Sequence, residues 1–350
     1  MNVQLWEVAM VSGSSKAIQR LILAVALLTT AGQPVAAQEK ISFTDSWSWA
    51  GYTAYFLLAE KRGYFAQEGL QVSLNRGYGS GKVPADLAAG TFQIGSGDIN
   101  PMIVFNAQNP TRRVVAIALV DDTSPLVAVV RADGPIRTPK DFEGRTLSAP
   151  DLDAGRQFFP VFAEANGFDA NKVKWLSVQG ALRETLMVRG QADGVTGFIN
   201  SAVVPFYKLG LPQSSLRVFL YQDYGVNLYG RVIMTSQEFA EKNPKAVKGF
   251  LRAVFRAKQD MLKDPEAGLA ALKEKEPLSD IDMERQQWEL QRELIVTDNT
   301  KKNGLSSIDW GRLDKAIRLV ERTMSLPGQQ NGKDVYTDAH LPPREELQIK

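Results

Sequence analysis

The sequence predicts an α/β protein of two lobes, each a mainly parallel sheet flanked by helices, with two crossings forming a hinge. Three observations carry that expectation. Short apolar runs alternate with helix-length segments along most of the chain, the pattern of repeated strand–helix–strand units. The 350 residues amount to about two domains. Finally, Gly90-Thr91-Phe92-Gln93-Ile94-Gly95-Ser96-Gly97 has an echo one hundred residues later in Gly190-Gln191-Ala192-Asp193-Gly194-Val195-Thr196-Gly197. Each copy ends a helix on glycine, runs a short strand, and closes on a hydroxyl residue beside glycine.

The first 37 residues read as an address. Lys16 and Arg20 precede the apolar run 21–28, and Val35-Ala36-Ala37 puts small residues where a signal peptidase cuts, so 1–37 is expected to be a secretory signal peptide. The apolar run is shorter than the roughly 20 residues a spanning helix needs. The segment from Met10 is already a complete signal, which favours Met10 over Met1 as the start.

Beyond the leader, 40–44 reads as a strand and 52–62 as a helix, with Tyr55, Leu58 and Ala59 on one face and Gly63 as its stop. Strands follow at 72–74 and 92–94, separated by a short helix at 83–89. A helix at 99–107 leads to the run 114–119, which suits a strand buried on both faces, and 126–130 is similar. Around Asp133-Gly134-Pro135 the composition breaks. Strands are then expected at 146–148, 173–178 and 194–196, and helices at 156–166, 182–188 and 202–209. A strand returns at 228–234, and Pro244 opens an amphipathic helix with Val247, Phe250, Leu251, Val254 and Phe255 inward. The expected division is 38–131 with 225–350 as lobe 1 and 132–224 as lobe 2, the second inserted into the first.

Composition removes several chemistries. With no cysteine there is no disulfide framework, thiolate metal site or thiol nucleophile. A single histidine, His340, leaves no multi-histidine metal site and argues against a Ser/His/Asp triad, so no catalytic residue, metal or cofactor is expected. A net charge of +2, with 41 basic and 39 acidic residues scattered along the chain, argues against nucleic acid as a partner. No cysteine follows the cleavage site to carry a lipid, so the exported protein is expected free in the periplasm.

Glu60-Lys61-Arg62-Gly63-Tyr64-Phe65-Ala66-Gln67-Glu68-Gly69-Leu70-Gln71-Val72 resembles the opening signature of the nitrate/sulfonate/taurine family of ABC-transporter periplasmic solute-binding proteins, which includes receptors for thiamine-pyrimidine precursors. Leu87-Ala88-Ala89-Gly90 with Ile94-Gly95, then Pro139-Lys140-Asp141-Phe142-Glu143-Gly144, and Asn243-Pro244 through Ala253 resemble its later blocks. The resemblance implies a type II-like two-lobe periplasmic-binding-protein fold that closes on a small solute. It implies delivery to ABC permease subunits in the inner membrane, and a monomer. One related branch is an enzyme that makes the pyrimidine from its own histidine with a cysteine cluster. This chain has no cysteine, and Thr53 falls near the position where related sequences carry a histidine, which argues against an enzyme.

Candidate solute contacts lie where strands end and helices begin. In Asp45-Ser46-Trp47-Ser48-Trp49-Ala50-Gly51-Tyr52, Trp47, Trp49 and Tyr52 suit stacking on a planar or cationic ligand, and Asp45 suits a ring nitrogen or amine. The turn Gly77-Tyr78-Gly79-Ser80-Gly81-Lys82 fails the phosphate-loop spacing, yet Tyr78, Gly79 and Ser80 suit a small polar solute. Ser96-Gly97 and Thr196-Gly197 offer hydroxyls and helix-start N–H groups. Asp153, Gly155 and Arg156 begin one helix and Arg183 another; the two arginines suit a carboxylate or sulfonate. Asn200 and Tyr224 complete the set, whereas Asp282, Glu284, Glu289 and Glu293 read as a solvated helix face. The expected ligand is a small planar or aromatic organic solute, pyrimidine-like and able to carry an anionic group. The alternatives are an aliphatic sulfonate or nitrate-type anion, a secreted pyrimidine-processing enzyme on the same fold, and a sensor subunit that presents its closed form to a membrane partner.

Overall fold

A computed structural model describes residues 38–349, so the leader expected at 1–37 lies outside the described residues. Ten strands make two five-stranded sheets. The first contains β1 (Glu39–Thr44), β2 (Leu70–Asn75), β3 (Ile94–Asp98), β4 (Val114–Leu119) and β10 (Arg231–Ser236), ordered β2-β1-β3-β10-β4. The second contains β5 (Leu126–Arg131), β6 (Thr146–Ala149), β7 (Lys174–Ser177), β8 (Gly194–Phe198) and β9 (Leu216–Leu220), ordered β7-β6-β8-β5-β9. In each sheet four strands share one direction and one strand runs against its two neighbours: β10 between β3 and β4, and β5 between β8 and β9. The sheets therefore have the same plan. The internal echo falls on equivalent central strands, β3 and β8, whose glycine-rich sequences suit positions packed closely on both faces.

The structure moves one expected boundary. The composition break at 133–135 puts the run 126–130 in lobe 1. Its hydrogen bonds go instead to β8 and β9 of the second sheet. The first crossing is thus Val120–Pro125, ahead of the division expected after residue 131, while the second runs through 221–230. Two local expectations also change. In place of the helix expected at 202–209, a single α-turn, Ile199–Ala202, is followed by a 3₁₀ segment, Val204–Leu209, because Pro205 interrupts a continuous helix. The edge strand β9, with Arg217 in the middle of a short apolar run, went unanticipated.

Four helices matter for the site: α1 (Ala54–Lys61), α2 (Ile99–Gln108), α3 (Pro244–Lys263) and α4 (Ile281–Ile295). α1 is buried along Ala54–Ala59, roofed by α3 and the helix Glu266–Lys275. Proline at the first position of α3 sets its start, and its buried face holds the five residues expected together with Ala246, Gly249, Ala253, Ala257, Lys258, Gln259 and Met261. Phe43, Phe56, Phe65 and Phe250 stack in that core at ring separations of 4.5 to 5.5 Å. In the second lobe Phe142, Phe159, Phe162, Phe168 and Phe219 form the matching aromatic core. No helix among the described residues is long and apolar enough to cross a membrane.

Candidate functional site

The carboxyl ends of β1, β6 and β8 face one another across a cleft, the place where open α/β sheets expose helix starts and loops. A cavity of about 650 Å³ opens there, walled by Trp47, Trp49, Tyr52 and Tyr78 from lobe 1 and by Gln179, Gly180, Arg183 and Glu184 from lobe 2. α4 closes a third side with Met283, Glu284 and Gln287. A small recess leads inward between Ser46, Trp47, Tyr52, Gly79, Ser80, Asp153, Phe198 and Ser201.

The lobes touch around this space. The Gly81 N–H donates to Leu152 O at 3.2 Å across the cleft, and Asn200 Nδ2 donates to Gln291 Oε1 at 2.7 Å. Trp47 lies so close to Gly180 that a Cβ there would sit 2.3 Å from its ring, and the Arg183 guanidinium stands 5.6 Å from the same ring.

Each sequence candidate now has a place. Trp47, Trp49, Tyr52 and Tyr78 line the cavity, and Gly79, Ser80 and Asp153 line the recess. Trp49 is also core, stacked 6.4 Å from Phe43. The glycine turn spends its N–H groups on protein: Gly77 on Trp47 O, Gly79 on Ser46 O and Gly81 on Leu152 O. Ser80 Oγ accepts the Asp98 N–H at 3.2 Å. This turn therefore joins the lobes rather than offering its backbone to a solute.

The arginines depart from expectation. Arg156 points out of the cleft, bonded to Ala149 O and Ser177 Oγ, paired with Asp151 and stacked on Trp175. Arg183 lines the cavity with its donors already taken by Glu184, Thr196 O and Ser201 O. Burial works against its charge, but Glu184 and Asp153 more than offset that and hold its pKa up. The Arg183 guanidinium is thus not free to grip an anion, and Arg156 is not among the residues that line the cavity. Thr196 donates to Asp153 Oδ1 at 3.0 Å, and Gly155 backs onto Gly197 while its carbonyl takes the Tyr221 hydroxyl. These residues brace the lobe 2 wall from behind. Tyr224 packs on Phe162 and Phe219 in the lobe 2 core, away from the cavity.

Beneath the recess lies a buried polar nest; it takes in Asp45 and Ser96, expected at the solute but buried below it, together with Arg231, Asp98 and Asp121, which the sequence did not single out. Arg231, the first residue of β10, stands 4.8 Å from the Tyr52 ring and 5.5 Å from Phe198, with Asp45 Oδ1 3.6 Å from its Nη1. Asp45, Ser96, Asp98 and Asp121 are buried in the same nest, and Asp121 accepts from Gln291. Asn200, Gln291 and Asp121 thus form a hydrogen-bonded chain from lobe 2 through α4 into lobe 1. Burial pushes the Asp45 and Asp121 carboxyls up against the pull of Arg231, and pushes Asp98 up to about 7. Lys258, 4.9 Å from the Tyr55 ring, is pushed down to about 7 by burial. The signal for this nest was weak, because its members come from the loop after β1, from β3, β10, α3 and α4, and from the 120–125 crossing.

The solvated-face reading of α4 also needs correction. Asp282, Glu289 and Glu293 are exposed as expected, but Glu284 is buried and accepts the Gly51 N–H at 2.7 Å. Gln287 and Gln291 share its face at helical spacing, a periodicity present in the sequence.

Comparison with known proteins places this geometry. The formylaminopyrimidine-binding protein of Halalkalibacterium halodurans is 26% identical over 72% of this chain and 76% of its own. A 4-amino-5-hydroxymethyl-2-methylpyrimidine phosphate synthase of Aspergillus parasiticus is 22% identical over 79% of this chain and 81% of its own. The alkanesulfonate-binding protein SsuA of Xanthomonas axonopodis pv. citri superposes with a TM-score of 0.65 over 88% of this chain and 99% of that one, at 13% identity, which shows a shared fold. The family model described as "NMT1/THI5 like" matches residues 50–268, and the chain belongs to that family.

Proposed function

We propose that the protein is the periplasmic solute receptor of an ABC importer, exported as a monomer, which closes its two lobes on a small planar heteroaromatic solute and presents it to permease subunits in the inner membrane. The observation that carries this reading is the cavity of about 650 Å³ between equivalent sheet ends, walled by four aromatic side chains. Concave, largely apolar spaces with a few placed polar groups are the form of small-molecule sites. The binding-protein relative of Halalkalibacterium halodurans supports a pyrimidine-like solute. The clamp works by hinge bending at the two crossings, Val120–Pro125 and 221–230.

An uncharged solute fits better than an anion. Of the two guanidiniums that line the cavity, Arg183 has its donors occupied, and Arg76 is exposed, bonded to Ser48 and set over the Tyr78 ring. Binding and release without turnover fits better than synthesis, since there is no cysteine and His340 does not line the cavity.

The test is native mass spectrometry of the purified protein, followed by thermal shift with a panel of pyrimidines, other planar heterocycles and alkanesulfonates. A ligand at one hundred times its Kd stabilises by about 2.7 kcal/mol. Heterocycles are expected to raise the melting temperature and return unchanged. No shift with any heterocycle, or a shift with sulfonates alone, defeats the reading.

A further inference from the structure

Two buried arginines cross the cleft in opposite directions. Arg183 belongs to lobe 2 and stands 5.6 Å from the ring of Trp47 in lobe 1. Arg231 belongs to lobe 1 and stands 5.5 Å from the ring of Phe198 in lobe 2. Each is held at the same distance from an aspartate of its own lobe: Asp153 Oδ2 lies 3.6 Å from Arg183 Nη1, and Asp45 Oδ1 lies 3.6 Å from Arg231 Nη1. Those aspartates follow β6 and β1, which hold equivalent places in the two sheets. The arginines themselves come from different elements, a helix start at 183 and the first residue of β10, so the repeated sheet plan does not by itself produce the match.

The two differ in what else they do. Arg183 lines the cavity and spends its donors on Glu184, Thr196 O and Ser201 O. Arg231 is fully buried, lines neither the cavity nor the recess, and makes no hydrogen bond to the protein from Nε, Nη1 or Nη2. Two ring faces hold its guanidinium, Tyr52 at 4.8 Å and Phe198, with the Asp45 carboxyl beside them. Arginine suits such a seat because it is weakly hydrated, and a cation over a ring gains most where water is shut out. Its backbone sits at the hinge. Arg231 O accepts the N–H groups of Val120 and Asp121, from the other crossing, at 2.8 and 3.1 Å. Just before it, a Cβ on Gly230 would lie 2.6 Å from Pro125, so the crossings touch there as closely as glycine allows. A bend at the crossings therefore leaves Tyr52 on Arg231 and carries Phe198 away.

Resting on the clamp reading above, we propose that Arg231 is the closing residue of the clamp, a positioning residue that touches no solute. The Phe198 ring rests on its guanidinium only when the lobes meet, so this contact sets the share of closed protein and the lifetime of whatever is enclosed. Apparent affinity scales with the fraction of protein in the binding-competent state, so a weaker contact loosens every solute by one common factor. A side chain that met the solute would discriminate among solutes instead.

The experiment is rapid-mixing indole fluorescence beside calorimetry, on wild type, Phe198→Leu, Phe198→Tyr, Arg231→Met and the double variant of Phe198→Leu with Arg231→Met. The probes are 4-amino-5-hydroxymethyl-2-methylpyrimidine and every other heterocycle that raises the wild-type melting temperature. Phe198→Leu removes the ring and keeps every charge of the nest. It is expected to raise the dissociation rate about tenfold for each solute, with the association rate unchanged. Phe198→Tyr keeps the ring and is expected to match wild type. Arg231→Met is expected to act as Phe198→Leu does, and the double variant to add nothing to either. If Arg231→Met does not fold, the two Phe198 variants decide alone. An unchanged dissociation rate in Phe198→Leu, equal loosening by Leu and Tyr, a factor that differs from solute to solute, or additive losses in the double variant overturns the assignment and leaves the clamp standing. A panel in which wild type binds no heterocycle overturns the clamp reading, and this assignment with it.

Discussion

Trp47 and Trp49 are two positions apart and do different work. Trp49 is buried, edge-on to Phe56 at 6.4 Å and stacked on Phe43, so its ring is part of the lobe 1 core as well as the cavity wall. Trp47 is half-buried and braced by Gly180 and Arg183 of the opposite lobe. Trp47→Ala is therefore expected to weaken solute binding by about 2 kcal/mol, roughly thirtyfold, with little loss of folding stability. Trp49→Ala is expected to cost about 3–5 kcal/mol of stability. Calorimetric titration beside urea unfolding separates the two; unaltered affinity in Trp47→Ala, or an unaltered urea midpoint in Trp49→Ala, contradicts this division. The sequence showed that indoles gather before a helix start, because that is a local feature. It did not show that Arg183 is spent on Glu184, Thr196 and Ser201, since two of those partners lie 13 and 18 residues away.

α4 joins three parts of the protein. Its Trp288 anchors it in the core, its Gln291 reaches Asn200 of lobe 2, and its fourth residue meets the loop before α1 at Gly51. That last contact tolerates no side chain, because the nearest atoms to a Cβ are backbone and cannot rotate aside. Gly51→Ala is expected to push α4 outward, costing about 1–3 kcal/mol or more of stability and most of the solute affinity. A urea midpoint and an affinity equal to wild type would show that α4 is not held this way. In the sequence the buried stripe Glu284, Gln287 and Gln291 had its period but no apolar character. A polar stripe facing a cleft and one facing water look the same until the neighbouring lobe is in place.

The nest under the cleft couples stability to pH. Between 3.8 and about 7 the folded protein keeps a proton on Asp98 that the unfolded chain has lost, so stability falls as pH rises through that range. Asp45, Asp121, Glu184 and Glu284, all raised by burial, add to the same limb. Between about 7 and 10.5 the unfolded chain keeps a proton on Lys258 that the folded protein has lost, so stability recovers. Urea unfolding near pH 5, 7 and 9 is expected to show a minimum near neutrality, and Asp98→Asn is expected to flatten the acid limb; an identical profile in that variant rules out the Asp98 titration. None of this was visible beforehand, because six separate stretches of chain supply the nest. The two-lobe plan was visible, since strand–helix alternation and the echo of β3 in β8 are written in neighbouring residues. The position of the first crossing was not, because β4 and β5 are alike in composition and differ only in the partners they find. Those partners also impose an order of assembly. All five strands of the second sheet lie within residues 126–220, so that lobe can close without the rest of the chain. β4 hydrogen-bonds to its own sheet only through β10, and stays unpaired until Arg231–Ser236 has been synthesised. The half of the protein that is made first is thus the half completed last.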